Sequence, residues 1–141
     1  MTDQIAATSR GTHLEGSDHF LRLALKLDAV VTGLNGAAYL SAASVLADVF
    51  DMSPTLLREV GMFLVVFAVV VWVVGSRSVV SRPATVLVVL VNAGWVAASV
   101  AAATAGLDSP STVAQVWMVA QAAVVALFAA LQVEGLRRQR T

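Results

Sequence analysis

The sequence contains no cysteine, which removes disulfides, thiol nucleophiles and thiolate metal sites from consideration. Charge is scarce as well. Only 13% of residues are charged, and nine basic side chains balance nine acidic ones. With a formal net charge of zero there is no bulk attraction for nucleic acid, so no nucleic-acid partner is expected. Lysine occurs once, at Lys26, and the other bases are arginines. Also missing are a phosphate-binding loop, a G-x-S-x-G elbow, an H-E-x-x-H helix and an EF-hand loop. No motif therefore supports an enzyme, and none calls for a cofactor.

What the sequence does have is apolar length. Of its 141 residues 58% are hydrophobic, and the mean hydropathy is +0.82. A soluble domain of this size needs a more polar surface. The apolar residues fall in long runs, each approaching or exceeding the roughly 20 residues that span a hydrocarbon core. The pattern predicts an all-α bundle of four transmembrane helices, at about 18–48, 54–75, 83–106 and 110–136. Residues 1–17 are polar and predict a mobile cytoplasmic tail without a signal-peptide core, so the first span would itself direct insertion. Helix starts are marked by Ser17-Asp18, Ser53-Pro54, Pro83 and Asp108-Ser109-Pro110, and stops by Gly75 and Gly106.

Arginine and lysine positions set an orientation. Arg10, Arg22, Lys26, Arg77, Arg82, Arg137, Arg138 and Arg140 fall on one side. Asp48, Asp51, Glu59 and Asp108 fall on the other, with Arg58 as the only base. By the positive-inside rule both termini are cytoplasmic. The preference for arginine over lysine, with abundant alanine and valine, suggests a GC-rich bacterial genome and hence the bacterial plasma membrane. The links at 51–55 and 108–112 are similar, and Asn35 and Asn92 precede Asp51 and Asp108 by the same spacing. This pattern fits a tandem helical-hairpin repeat; it equally fits ordinary Asp/Ser/Pro helix-start chemistry.

Membrane helices associate through small residues and polar contacts. Spacing of four gives the third span two small rows, Gly94/Ala98/Ala102/Gly106 and Ala93/Ala97/Ala101/Ala105. The first span offers Gly33/Ala37/Ser41 and the fourth Ala122/Ala126/Ala130, whereas the second has Ala68 at mid-span. Spans one, three and four are thus expected to form the tight centre. The second is expected to face lipid or an oligomer partner.

Polar residues within the spans are the site candidates. At about 1.5 Å per residue, Asn35, Asn92 and Gln121 fall near mid-bilayer, with Tyr39 and Trp95 about a turn further out. Buried amides need partners, so the three are expected to cluster, either as interhelical glue or around a ligand headgroup. Asp28 and Glu134 are ionisable groups at the cytoplasmic level of the spans. Asp28 is expected to form a salt bridge with Arg22, Lys26 or Arg82, or else to bind a proton or substrate, with Thr32 in reach as a hydroxyl donor. His13 and His19 match no strong metal spacing, and neither lies in the apolar part of a span, which argues against a bis-histidine haem.

Several segments carry a family resemblance: Leu21-Arg22-Leu23, Asp28 to Gly33, Leu57 to Gly61, Asn92-Ala-Gly-Trp95 with Ser99, Ala120-Gln121-Ala122, Phe128 to Gln132 and Gly135 to Arg138. Over all four spans the chain resembles a group of small actinobacterial four-helix integral membrane proteins, and its architecture is similar to that of DoxX-like proteins. The resemblance implies topology and no chemistry. Three functions follow from the residues. The first is a non-enzymatic accessory or assembly subunit, in a homo-oligomer or a larger membrane complex. The second is a binder or carrier of a small lipophilic ligand, such as a lipid or quinone. The third is a small proton-coupled transporter using Asp28, akin to the small multidrug-resistance proteins, whose essential acid is instead a glutamate in the first helix.

Overall fold

A computed structural model describes residues 2–105 and 110–140, with side chains from Asp18 onward. Regular structure there is entirely helical: α1 (Thr2–Ser41), α2 (Ala43–Phe50), α3 (Pro54–Ser76), α4 (Arg82–Ala105) and α5 (Thr112–Arg140). By length and composition α3, α4 and α5 can each cross a membrane, with mean hydropathies of 2.3, 2.1 and 2.0. The segment of α1 from Asp18 qualifies together with α2, although their axes differ by 91° at the break between them. The described chain therefore has three membrane-capable helices, or four if that bent pair is one span.

The first helix departs from expectation at both ends. It begins at Thr2, not at Asp18, so helix covers the segment expected to be a tail. Residues 2–17 contain no proline, and Ser, Thr, Asp or Gly within a helix each cost only about 1 kcal/mol or less. At its other end α1 stops at Ser41, where continuous helix to 47 or beyond is expected. The Ser41 hydroxyl donates to the carbonyl of Ala37 at 2.8 Å, a back-bond that bends helices. Ala42 then leaves helical geometry, with φ −118° and ψ 24°, and α2 resumes in a new direction. It ends at Asp51, whose φ of 55° is left-handed, a conformation Asp tolerates better than most residues.

Helix starts follow the sequence more closely. The Ser53 hydroxyl accepts from the Leu56 N–H at 3.4 Å, with Pro54 in the first turn. The expected stop at Gly106 and the Asp108-Ser109 start lie outside the described residues. Ser111 caps α5, its hydroxyl accepting from Ala114 N–H at 3.2 Å. The same residue closes α2: its hydroxyl donates to Val49 O at 2.8 Å and its N–H to Phe50 O at 2.9 Å. These are carbonyls that a helix C-terminus leaves without partners.

The order around the bundle is α3, α1, α5, α4. The most extensive pairing is α1 with α3, then α4 with α5, then α1 with α5; α3 and α4 barely meet. This overturns the expectation that the second span is peripheral. In its most apolar window 28% of α3 is buried, against 17% for α4 and for α5. The reason is a seam with a seven-residue period. The buried residues of α3 are Leu57, Gly61, Leu64, Ala68, Val71 and Gly75, alternating large and small. Steps of four and three are those of left-handed coiled-coil packing. Gly61 meets Gly36 so closely that a β-carbon on either would lie 2.9 Å from the other's carbonyl oxygen. Gly33 faces Ala68, and Gly75 packs on Leu25.

The small-residue rows of α4, by contrast, do not form the tight centre. Ala93, Ala97, Ala98, Ala101 and Ala105 are exposed, and a β-carbon on Gly94 would meet nothing within 4 Å. The face of α4 that packs carries Thr85, Val88, Asn92 and Ser99. On α5 the close approach is Gly135, against Leu21 of α1. Two apolar clusters result. One joins Leu21, Leu25, Val71, Val88 and Leu136. The other, towards α2, joins Tyr39, Phe50, Leu57, Leu64 and Ala114.

Candidate functional site

Asp28 is fully buried, yet no arginine, lysine or histidine among the described residues pairs with it. The three bases expected to do so are engaged elsewhere. Arg22 donates to the carbonyls of Arg77 and Ser78 at 2.8 and 3.2 Å, Lys26 Nζ lies 5.0 Å from the Trp72 ring centre, and Arg82 donates to Leu136 O at 2.9 Å. The carboxylate instead takes neutral donors. Oδ1 accepts from the Thr32 hydroxyl at 3.0 Å; Oδ2 accepts from Asn92 Nδ2 at 2.8 Å and from Gln132 Nε2 at 2.7 Å. Asn92 Nδ2 also donates to Gln132 Oε1 at 3.2 Å. All four residues are buried.

This network corrects the expected amide cluster. Asn35 does meet Gln121, with Nδ2 donating to Oε1 at 3.2 Å. Asn92 lies a layer lower, drawn to Asp28, which precedes Asn35 by about two helical turns. One turn above Asn35, the Tyr39 hydroxyl accepts from Trp117 Nε1 at 2.7 Å. Trp95 stacks on Phe63 at 6.0 Å, and Phe63 on Phe67 at 6.1 Å. Glu134 belongs to neither layer: it is half exposed and pairs with Arg138 at 3.2 Å. His19 is exposed and the side chain of His13 lies outside the described residues.

The two layers border one half-open cavity of about 600 Å³ between the helices. Asn35, Tyr39, Asn92, Trp95 and Gln121, the five ligand-binding candidates, all line it. Phe63 and Phe67 supply one wall, Phe50 and Leu46 of the bent α2 close one end, and Thr32 lies beside Asn92. No charged side chain reaches it. On the α1–α5 side it is bounded by Val31, Leu34, Ala120 and Val124, all exposed on the outer surface of the bundle. A cavity of this size, apolar with a few placed polar groups, matches the usual form of small-molecule sites. Gln132 and Trp117 are the partners that sequence reasoning missed. Gln132 lies near the arginine-rich end of α5, five residues before Arg137, and its spacing from Phe128 and Gly135 puts it on the buried stripe.

Comparison with protein-family models, with curated proteins and with solved structures found no match.

Proposed function

We propose that this chain is a non-enzymatic membrane protein that binds or carries a small lipophilic molecule in the cavity between its helices. The carrying observation is that five polar and aromatic side chains from α1, α4 and α5 converge on one 600 Å³ cavity. A protein whose polar residues served as glue alone would pair them in a dry, filled centre. In this reading α1 from Asp18 and α2 form one bent span, giving four spans, with the arginine-rich ends and both termini on the cytoplasmic side of a bacterial plasma membrane. The ligand enters laterally from the bilayer, past the α1–α5 wall. The test is mass spectrometry of extracts of the protein purified from native membrane. One lipophilic species should accompany the wild type and fall away in Gln121→Leu. Recovery of bulk lipid alone from both proteins would contradict the reading.

A second reading, assembly with another membrane helix, rests on the exposed face of α4. Gly94 and its neighbouring alanines offer the close backbone approach that helix pairs in lipid use. It is compatible with ligand binding, and crosslinking from a cysteine at Ala97 tests it: the product is a homo-oligomer, a heteromeric complex or neither.

A further inference from the structure

Asn92 is held in one orientation by the residues around it. Both hydrogens of its Nδ2 are committed, one to Asp28 Oδ2 and one to Gln132 Oε1. Its carbonyl oxygen has no protein partner among the described residues. Nor is that oxygen sealed by packing: Arg22 Nε is the only enclosed side-chain polar atom there without a hydrogen bond. Asn92 lines the cavity, and an oxygen neither bonded nor sealed is the polar atom it has left to offer there. Turning the amide over would set the oxygen against Asp28 Oδ2 and Gln132 Oε1, two acceptors. A carboxylate fixed by three donors thus holds Asn92 as an acceptor towards the ligand.

The rest of the cavity complements a ring. Phe63 stands stacked with Trp95, their planes 17° apart, and flat aromatic walls favour flat guests. Gln121 accepts from Asn35 through Oε1, which leaves its Nε2 group as a donor towards the cavity. The Tyr39 hydroxyl is held by Trp117 and Asn35. No charge faces the cavity, so a phosphate or ammonium headgroup would be desolvated without compensation.

We infer that the preferred ligand is a neutral lipid whose flat ring carries a hydroxyl, and that Asp28 sets this preference by orienting Asn92. Such a ring, of the phenol or hydroquinone class, donates to Asn92 Oδ1 and accepts from Gln121 Nε2. The matching carbonyl form, a quinone, satisfies that donor but turns an acceptor towards Asn92 and leaves that oxygen unpaired. Asp28 is a positioning residue here and does not itself touch the ligand. The inference rests on the binding reading above.

The test is equilibrium binding to the full chain in nanodiscs, with a decyl-tailed hydroquinone kept reduced and its quinone as the two probes. The wild type should favour the hydroquinone by about tenfold or more, as sites built around a ligand hydroxyl do. In Asp28→Asn and in Asn92→Leu the ratio should collapse towards one. A merely structural role would weaken both probes alike and leave the ratio unchanged. Equal binding of the two probes by the wild type, or preference for the quinone, would overturn this inference while leaving the binding reading intact. Failure of both probes to bind the wild type would count against the binding reading itself. Should both variants prove too unstable to purify, the wild-type ratio alone decides the hydroxyl preference.

Discussion

Asn92 and Asp28 lie 64 positions apart in sequence and are joined by a 2.8 Å hydrogen bond across the centre of the bundle. Their helices, α4 and α1, do not pack backbone to backbone, so this bond joins them through side chains, beside the apolar contact of Val88 with Leu21 and Leu25. The carboxylate is the hub: three donors converge on it. Asp28→Leu therefore leaves three buried donors short of an acceptor, whereas Asn92→Leu removes one of the three donors to Asp28 and the donor to Gln132 Oε1. The first should lower stability by about 1–3 kcal/mol and the second by roughly 1 kcal/mol. Melting curves in one detergent compare them. The double variant should lose less than the sum, because both changes break the same bond. Strict additivity would mean the two residues do not interact.

The Gly36–Gly61 crossing is the other determinant of the bundle. Gly61→Leu places a side chain where even a β-carbon lies 2.9 Å from Gly36 O and Tyr39 Cβ. The helices must separate, at a cost of about 1–3 kcal/mol or more. Ala98→Leu, on the exposed side of α4, should leave the melting temperature nearly unchanged. Equal losses from the two substitutions would count against the α1–α3 seam.

These contrasts show which parts of the structure the sequence reveals. The helical class and the apolar segments are legible because nothing else satisfies the backbone in hydrocarbon. The Ser53-Pro54 start is local chemistry and reads directly. The α3 seam is also written in the sequence, but at a period of seven; a search at spacing four finds the alanines of α4 and misses Gly61 and Gly75. The break at Ser41 has neither proline nor glycine to announce it. The five cavity residues were recognisable as polar or aromatic groups within apolar runs. Their division into two layers was not, because it depends on Asp28 attracting amides in preference to arginines, and on Gln132, whose neighbours disguise it.

Ser111 joins the start of α5 to the end of α2. Ser111→Ala removes the cap on Ala114 and the donor to Val49 together. A lost N-cap costs about 1 kcal/mol, and the change should also free α2, which closes one end of the cavity. Hydrogen exchange in residues 43–50 should rise sharply, with α3 unaffected. Unchanged protection of α2 would show that its position does not depend on this link.

Orientation is testable through the 77–82 link, where Ser78 is exposed. A cysteine there should resist a membrane-impermeant thiol reagent added to intact cells and react after permeabilisation. A cysteine at Ser53, at the opposite end of α3, should react in intact cells. The reverse pattern would invert the topology.

The most direct measurement of ligand binding is native mass spectrometry of the protein released from its own membrane. One adduct per chain of discrete mass, below that of a phospholipid, is the predicted result, and it should vanish in the Asn35→Leu/Gln121→Leu double variant while the fold, followed by melting, survives. A wild-type spectrum showing bare chain alone, or the same heterogeneous phospholipid adducts in wild type and variant, would contradict a binding role for the cavity.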